Sequence, residues 1–147
     1  MNTIWNEQEI LRLVEEQNRY FKTGVTLSVA WRKDMLRKLK HSVQLHRAEI
    51  ETALYADLGR SAGEAFLCDI GPLIMEINET LRGVDHWART EHHFSGWACF
   101  PSMVTKVHKM PYGTVLIISP YNFPILLSLG VLVAAIAGGN TAVIKAS

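Results

Sequence analysis

An α/β fold, with N-terminal helices leading into a parallel sheet, is the class this sequence predicts. Three observations predict it. Through about Trp87, apolar residues recur every three or four positions, the spacing of helices with one buried stripe. Two β-branched runs, Thr114–Ser119 and Thr141–Ile144, lie near the other end. Between them, Ile125–Ala137 is apolar, free of proline and long enough for a helix. Strand, helix and strand at this spacing fit a right-handed parallel βαβ unit. Its sheet needs strands beyond these two, and the sequence as given supplies none.

The elements follow in order. Asn6-Glu7-Gln8-Glu9 opens the first helix with acidic residues in the first turn. Ile10, Leu13, Val14, Gln17 and Phe21 share a face, and Lys22-Thr23-Gly24 ends it. A second pattern begins near Thr26 or Ser28, with a stripe of Leu27, Trp31, Met35, Leu39, Val43, His46, Ile50 and Leu54. Its length predicts a break near 46–48, and Gly59 predicts its stop. The basic residues at 32, 33, 37, 38 and 40 are read as a solvated face. A third helical pattern runs over 62–87, interrupted at Gly71-Pro72. Proline removes a backbone donor and clashes with the preceding turn, so a kink or a fresh helix start is expected there. Residues 90–102 read as a connection, with His92 and His93 in a solvated loop. Met103–Lys109 is β-prone and polar, suited to an edge strand, and Pro111-Tyr112-Gly113 is a turn. The run Thr114–Ser119 lacks polar alternation, the mark of a strand covered on both faces. The helix Ile125–Ala137 is apolar nearly all round and is expected to be buried on most sides. Gly138-Gly139-Asn140 then caps it before the second strand.

Composition narrows the function. With 48% hydrophobic and 20% charged residues among 147, the chain is globular. A net charge of +1 gives no general attraction to nucleic acid. The N-terminus lacks the basic and apolar regions of a signal peptide, which suggests a cytoplasmic location. Cys68 and Cys99 lie far apart, without the spacing of a metal site or a disulfide framework. They are read as two reduced thiols, at least one of them buried. Residues 110–144 carry no charge, which raises a membrane span as the rival. A span needs about 20 apolar residues without breaks. Here Pro120, Asn122 and Pro124 interrupt one side and Gly138-Gly139-Asn140 the other, leaving backbone that lipid could not satisfy. The buried, soluble reading is preferred.

The segment SPYNFP, residues 119–124, sets an amide side chain, Asn122, between aromatic rings at the end of a strand. Carboxyl ends of strands in open α/β sheets are where ligands bind. A neutral amide is a donor that does not titrate. Taken from the residues alone, Asn122 is equally a ligand-facing donor or a cap for the following helix. Lys145 lies at the end of the next strand, as a ligand contact or as a solvated strand-end lysine.

The stretch PYGTVLIISPYNFPILLSLGVLVAAIAGGNTAVIKAS resembles, almost without gaps, the aldehyde dehydrogenase pattern P-x-G-V-x-x-x-I-x-P-W-N-[FY]-P, an apolar helix, then A-x-x-x-G-N-x-x-V-x-K-P-S-E. Upstream, LYADLGRSAGEAFLCDIG is similar to the class 3-like branch, where a helix ends in a D-L-G-K-S-like turn. The resemblance runs from about position 20 to 147. It implies N-terminal helices leading into a Rossmann-like parallel sheet, the aldehyde dehydrogenase fold, truncated after the first βαβ unit. It divides the chain into a helical part of the cofactor-binding domain (1–102), an edge strand and turn that is a candidate oligomerisation hairpin (103–112), and the start of the NAD(P)-binding core (113–147).

The same resemblance implies NAD(P)-dependent oxidation of an aldehyde to a carboxylic acid through a cysteine thiohemiacetal. Asn122 is then the catalytic oxyanion donor, a role typically worth about 3–4 kcal/mol. Ser119, Pro120, Tyr121, Asn122, Lys145 and Ser147 are the cofactor-binding residues, for NAD or NADP, with no metal. The nucleophilic cysteine and the general-base glutamate are expected beyond Ser147, and Cys68 and Cys99 match neither. Expected partners are a small aldehyde and, for the full-length protein, a second copy in a homodimer, with no nucleic acid and no integral membrane span. The 147-residue chain alone is expected to be inactive. Three positions depart from the pattern: Tyr121 stands for Trp, Ala146 for Pro, and Pro72 falls inside a helix. The alternatives from other classes are a membrane-associated helical protein and a non-catalytic interaction module.

Overall fold

The computed structural model describes residues 6–102 and 104–147. Helix α1 (Glu7–Lys22) opens as expected, and its cap is reciprocal: Glu9 N–H donates to Asn6 Oδ1 (2.8 Å) and Asn6 N–H to Glu9 Oε2 (2.9 Å). Leu13, Val14, Gln17 and Phe21 are half-buried, whereas Ile10, on the predicted face, stays exposed. Ser28 caps α2 (Val29–Leu45), and α3 (Arg47–Leu58) follows after the break at His46. Gly59, with φ 68°, ends α3 in the left-handed conformation that glycine adopts without cost.

The buried stripe of α2 has a different phase from the one the spacing suggests. Leu36 is fully buried, Trp31 and Met35 only half so, and Leu27 is exposed. Arg32 is also buried, which corrects its placement on a solvated face. Its Nε donates to Thr26 O (2.9 Å), one terminal nitrogen to Ala137 O (2.9 Å) and the other to Leu27 O (3.0 Å). Three carbonyls satisfy the fork of donors, so the guanidinium can be enclosed where a lysine could not. Burial lowers its pKa from the ordinary arginine value.

The third helical pattern divides into a short turn α4 (Ala62–Ala65), a π-helical segment Phe66–Ile70 and helix α5 (Gly71–Trp87). Pro72 lies in the first turn of α5, directly after the π-helical segment, and the backbone stays in the right-handed helical region through Ile70 and Gly71, so the helix runs on across the proline through the wider π turn and the expected fresh start does not form. Leu36, Val43, Ile70, Leu73, Ile77 and Val133 close the core between α2, α5 and α6 (Leu126–Gly138).

Beyond α5, strand β1 (Glu91–Phe94) pairs antiparallel with β2 (Val104–Val107). His92 and His93 therefore stand in a strand, not the expected loop. Their hydrogen-bonding partner lies downstream in sequence, so no local pattern marks it. Strand alternation turns the two rings to opposite sides, both exposed. The predicted start of β2, Met103, lies outside the described residues, as do residues 1–5.

Strands β3 (Thr114–Ile118) and β4 (Thr141–Lys145) are parallel, in register from Thr114 opposite Thr141 to Ile118 opposite Lys145, and α6 is the crossover. This is the predicted βαβ unit. Both α1 and α6 lie against the pair. Its coverage departs from expectation: Ile117 is 4% exposed, but Leu116 and Ile118 on the alternate face are 64% and 70% exposed. In α6, Leu127 and Val131 are likewise uncovered, while the small residues Ser128, Gly130 and Ala135 share the buried contact with Val133. Neither thiol is buried, another correction: Cys68 is half-exposed and Cys99 exposed. Among the described residues no helix is long and apolar enough to cross a membrane.

Candidate active site at the carboxyl edge of the parallel pair

Parallel pairing brings the carboxyl ends of β3 and β4 side by side, and the Ser119 N–H donates to Lys145 O (3.0 Å). Ser119, Pro120, Tyr121 and Asn122 therefore leave the sheet beside Lys145. Tyr121, Asn122, Lys145 and Ser147 are exposed, while Ser119 is buried. The Ser119 hydroxyl is enclosed and makes no hydrogen bond among the described residues. Lys145 makes no ion pair among them.

The Asn122 side chain makes no hydrogen bond within the described chain, and it does not cap α6. That helix begins after Ile125, which carries no side-chain cap from its own segment. Its first N–H groups are satisfied from a distance. Asp69, fully buried on the π-helical segment, accepts through Oδ1 from Ile125 N–H (3.2 Å) and Leu126 N–H (3.0 Å). A carboxylate at a helix N-terminus meets both the orphan donors and the positive end of the dipole. The other Asp69 oxygen pairs with Arg60, whose side chain is 17% exposed. The second terminal nitrogen of Arg60 donates to the Asn122 backbone carbonyl (2.6 Å), and the guanidinium lies 4.7 Å from the centre of the Phe123 ring. Both residues beside Asn122 in this clamp escaped the sequence reading. One signal could have found them: Asp69 is a lone charge in the apolar run Ala65-Phe-Leu-Cys-Asp-Ile70, a position that burial permits only with a partner.

A cavity of about 690 Å³ lies elsewhere, lined by Leu27, Arg32, Glu76, Thr80 and Trp87 among others, and holds none of the predicted site residues.

Comparison with known proteins matches residues 4–147 to the aldehyde dehydrogenase family. The chain belongs to that family. Among curated relatives, it is 36% identical over 132 residues to the 4,4'-diaponeurosporen-aldehyde dehydrogenase of Staphylococcus aureus, across 90% of this chain. It is 37% identical over 134 residues to aldehyde dehydrogenase family 3 member F1 of Arabidopsis thaliana, across 91% of the chain. The chain spans 28% of the length of each of these relatives. The substrate-bound state of Staphylococcus aureus AldH superposes on all of it with TM-score 0.91 at 35% identity, over 31% of that chain. GapN of Methanocaldococcus jannaschii, a glyceraldehyde-3-phosphate dehydrogenase, shares the fold at 22% identity, with TM-score 0.83 over 99% of this chain and 30% of that one. The class 3-like resemblance and the aldehyde dehydrogenase fold are thus borne out. The matched region corresponds to the N-terminal portion of these enzymes.

Proposed function

We propose that this chain supplies the oxyanion donor and part of the cofactor site of an NAD(P)-dependent aldehyde dehydrogenase, which oxidises an aldehyde to a carboxylic acid. The observation that carries this reading is the unpartnered Asn122 amide at the carboxyl edge of a parallel pair, its backbone held from behind by Arg60. A cysteine thiolate from the portion of the enzyme that this chain does not span attacks the carbonyl carbon, giving a thiohemiacetal. As negative charge gathers on the carbonyl oxygen, the Asn122 amide N–H donates to it. The donor is already in place and neutral at every working pH, so it needs no reorganisation at that moment.

The residues also fit a dinucleotide. An ammonium at Lys145 and an enclosed hydroxyl at Ser119, both without a partner among the described residues, suit a ligand rich in hydroxyl and phosphate oxygens. Lys145 would hold ribose hydroxyls, with Ser119, Pro120, Tyr121, Asn122 and Ser147 along the cofactor's path. When bound, the nicotinamide would accept the hydride as the thiohemiacetal becomes a thioester; water then cleaves the C–S bond, giving the carboxylic acid and returning the cysteine. In the same reading, residues 1–102 are the helical part of the cofactor domain, 103–112 belong to an oligomerisation hairpin, and 113–147 begin the cofactor-binding core. The exposure of every residue in β1 and β2 supports a role for that hairpin in a homodimer. The same proposal has the complete enzyme working in the cytoplasm.

The test is a pair of substitutions in the complete enzyme. Asn122→Ala is expected to cut kcat by about 10²–10³, the size of one lost oxyanion donor, with melting temperature little changed. Asn122→Asp does at least as badly, because a carboxylate offers no donor and repels the developing oxyanion. If Asn122 were instead a helix cap, Asp would serve as well as Asn. A fully active Asp variant therefore ends the oxyanion assignment.

A further inference from the structure

We infer that Arg60 and Asp69 are positioning residues for Asn122, a two-residue brace that sets where the oxyanion donor points; this rests on the oxyanion reading above. The argument begins with the loop Ser119–Ile125. It leaves a strand and enters a helix and contains two prolines; Ser119 is still tied to Lys145 and the Phe123 carbonyl already accepts from Leu127, but the stretch Pro120–Asn122 between them has no backbone–backbone hydrogen bond among the described residues. Side chains must fix that stretch. The brace touches the loop at three successive places: Arg60 at the Asn122 carbonyl, the same guanidinium over the Phe123 ring, and Asp69 at the Ile125 and Leu126 amides. The contacts fall on the backbone of Asn122 and on both sides of the loop's turn into α6, and leave the Asn122 amide free. A brace that held the side chain itself would consume the donor.

The chemistry also selects these residue types. Asp69 is fully buried and must divide its two oxygens between a cation and two amides. An arginine can pair with a carboxylate, reach a carbonyl with its other terminal nitrogen and stack flat on a ring, all at once. A lysine ammonium is a point donor on a flexible stem and cannot do the three together. The π-helical segment contributes as well. Its wider turn carries Asp69 just ahead of Pro72, and such segments recur at functional sites. The brace thus ties the end of α3, the π segment and the start of α6 into one frame around the donor.

Arg60→Lys in the complete enzyme tests this. It keeps a cation beside the buried carboxylate, so the fold is retained. Expected are a kcat lowered about tenfold, the cost of a donor displaced by a fraction of an ångström, and aldehyde and cofactor KM within about twofold of the parent. The decisive measurement repeats the substitution in the Asn122→Ala background. If Arg60 acts through Asn122, no further loss of kcat appears there. If Arg60 only supports folding, kcat per total enzyme falls by the same factor in both backgrounds, and the inference is overturned. Phe123→Leu, which removes the stacking ring without touching a charge, should reproduce a smaller loss with the same dependence on Asn122. Independently of activity, amide exchange at Ile125 and Leu126 should quicken in Arg60→Lys; parent-like exchange with parent-like kcat overturns the brace. The two readings fail differently. An Asn122→Ala enzyme with parent kcat defeats the oxyanion assignment itself, whereas a damaged Asn122→Ala enzyme beside an unaffected Arg60→Lys enzyme defeats only the brace.

Discussion

At the scale of single residues, isolation in the sequence and isolation in space coincide at Lys145. It is the one charged side chain after Lys109, and it ends exposed at the carboxyl edge of β4 without an ion-pair partner among the described residues. If it holds the cofactor's ribose, Lys145→Ala in the complete enzyme should raise the cofactor KM and leave the aldehyde KM nearly unchanged. The loss should correspond to about 1–3 kcal/mol, the range for a hydrogen bond involving a charged group. Steady-state kinetics with each substrate varied in turn make the measurement, and an unchanged cofactor KM would mean a solvated lysine. Arg32 shows the opposite case. Its sequence neighbours, Lys33, Arg37 and Lys38, suggest one basic face, yet Arg32 alone turns inward. Charge patterning along a helix cannot distinguish a solvated arginine from one aimed at a carbonyl that arrives from 105 residues away.

At the scale of elements, that same contact decides how α6 ends. The Ala137 carbonyl, left without an intrahelical partner in the last turn, accepts from Arg32, so a cation sits at the negative end of the helix dipole. Gly139 follows with φ 84°, and a side chain there would also run into the Arg32 guanidinium. Arg32→Met should therefore destabilise the complete enzyme by about 2–3 kcal/mol through three unsatisfied carbonyls. The check is denaturant unfolding of both forms. Equal midpoints would show that water replaces the guanidinium at no cost. The Gly138-Gly139-Asn140 signal located this terminus from the sequence because helix stops are local. The start of α6 was not legible in the same way: its cap is Asp69, more than 50 residues earlier, and no residue within the segment announces it.

At the scale of the whole molecule, the βαβ unit presents a two-stranded parallel sheet with one bare face. Leu116 and Ile118 are more than half exposed, and Leu127 and Val131 add apolar surface on α6. Apolar patches and open strand edges both favour association. The 147-residue chain expressed alone is expected to self-associate, visible as a concentration-dependent sedimentation coefficient. The double variant Leu116→Lys, Ile118→Lys should move it toward monomer. A sharp two-state melt of a monomeric parent chain would contradict this.

Local signals carried much of the fold. Capping residues, glycine stops and the β-branched runs placed most of the elements close to where they form, because each acts on its own backbone. The family motif at 111–147 pointed to Asn122 and Lys145 as candidate site residues, and parallel pairing of the two strands brings these positions to one edge. What only the tertiary structure decided was every contact between distant segments. These include the pairing of β1 with β2, the inward turn of Arg32, the bare face of β3, and the Arg60–Asp69 brace behind Asn122. The physical reason is common to all four. A buried charge, an unpaired strand and a helix end are each resolved by whichever partner the fold brings near, and periodicity along the chain carries no record of that partner.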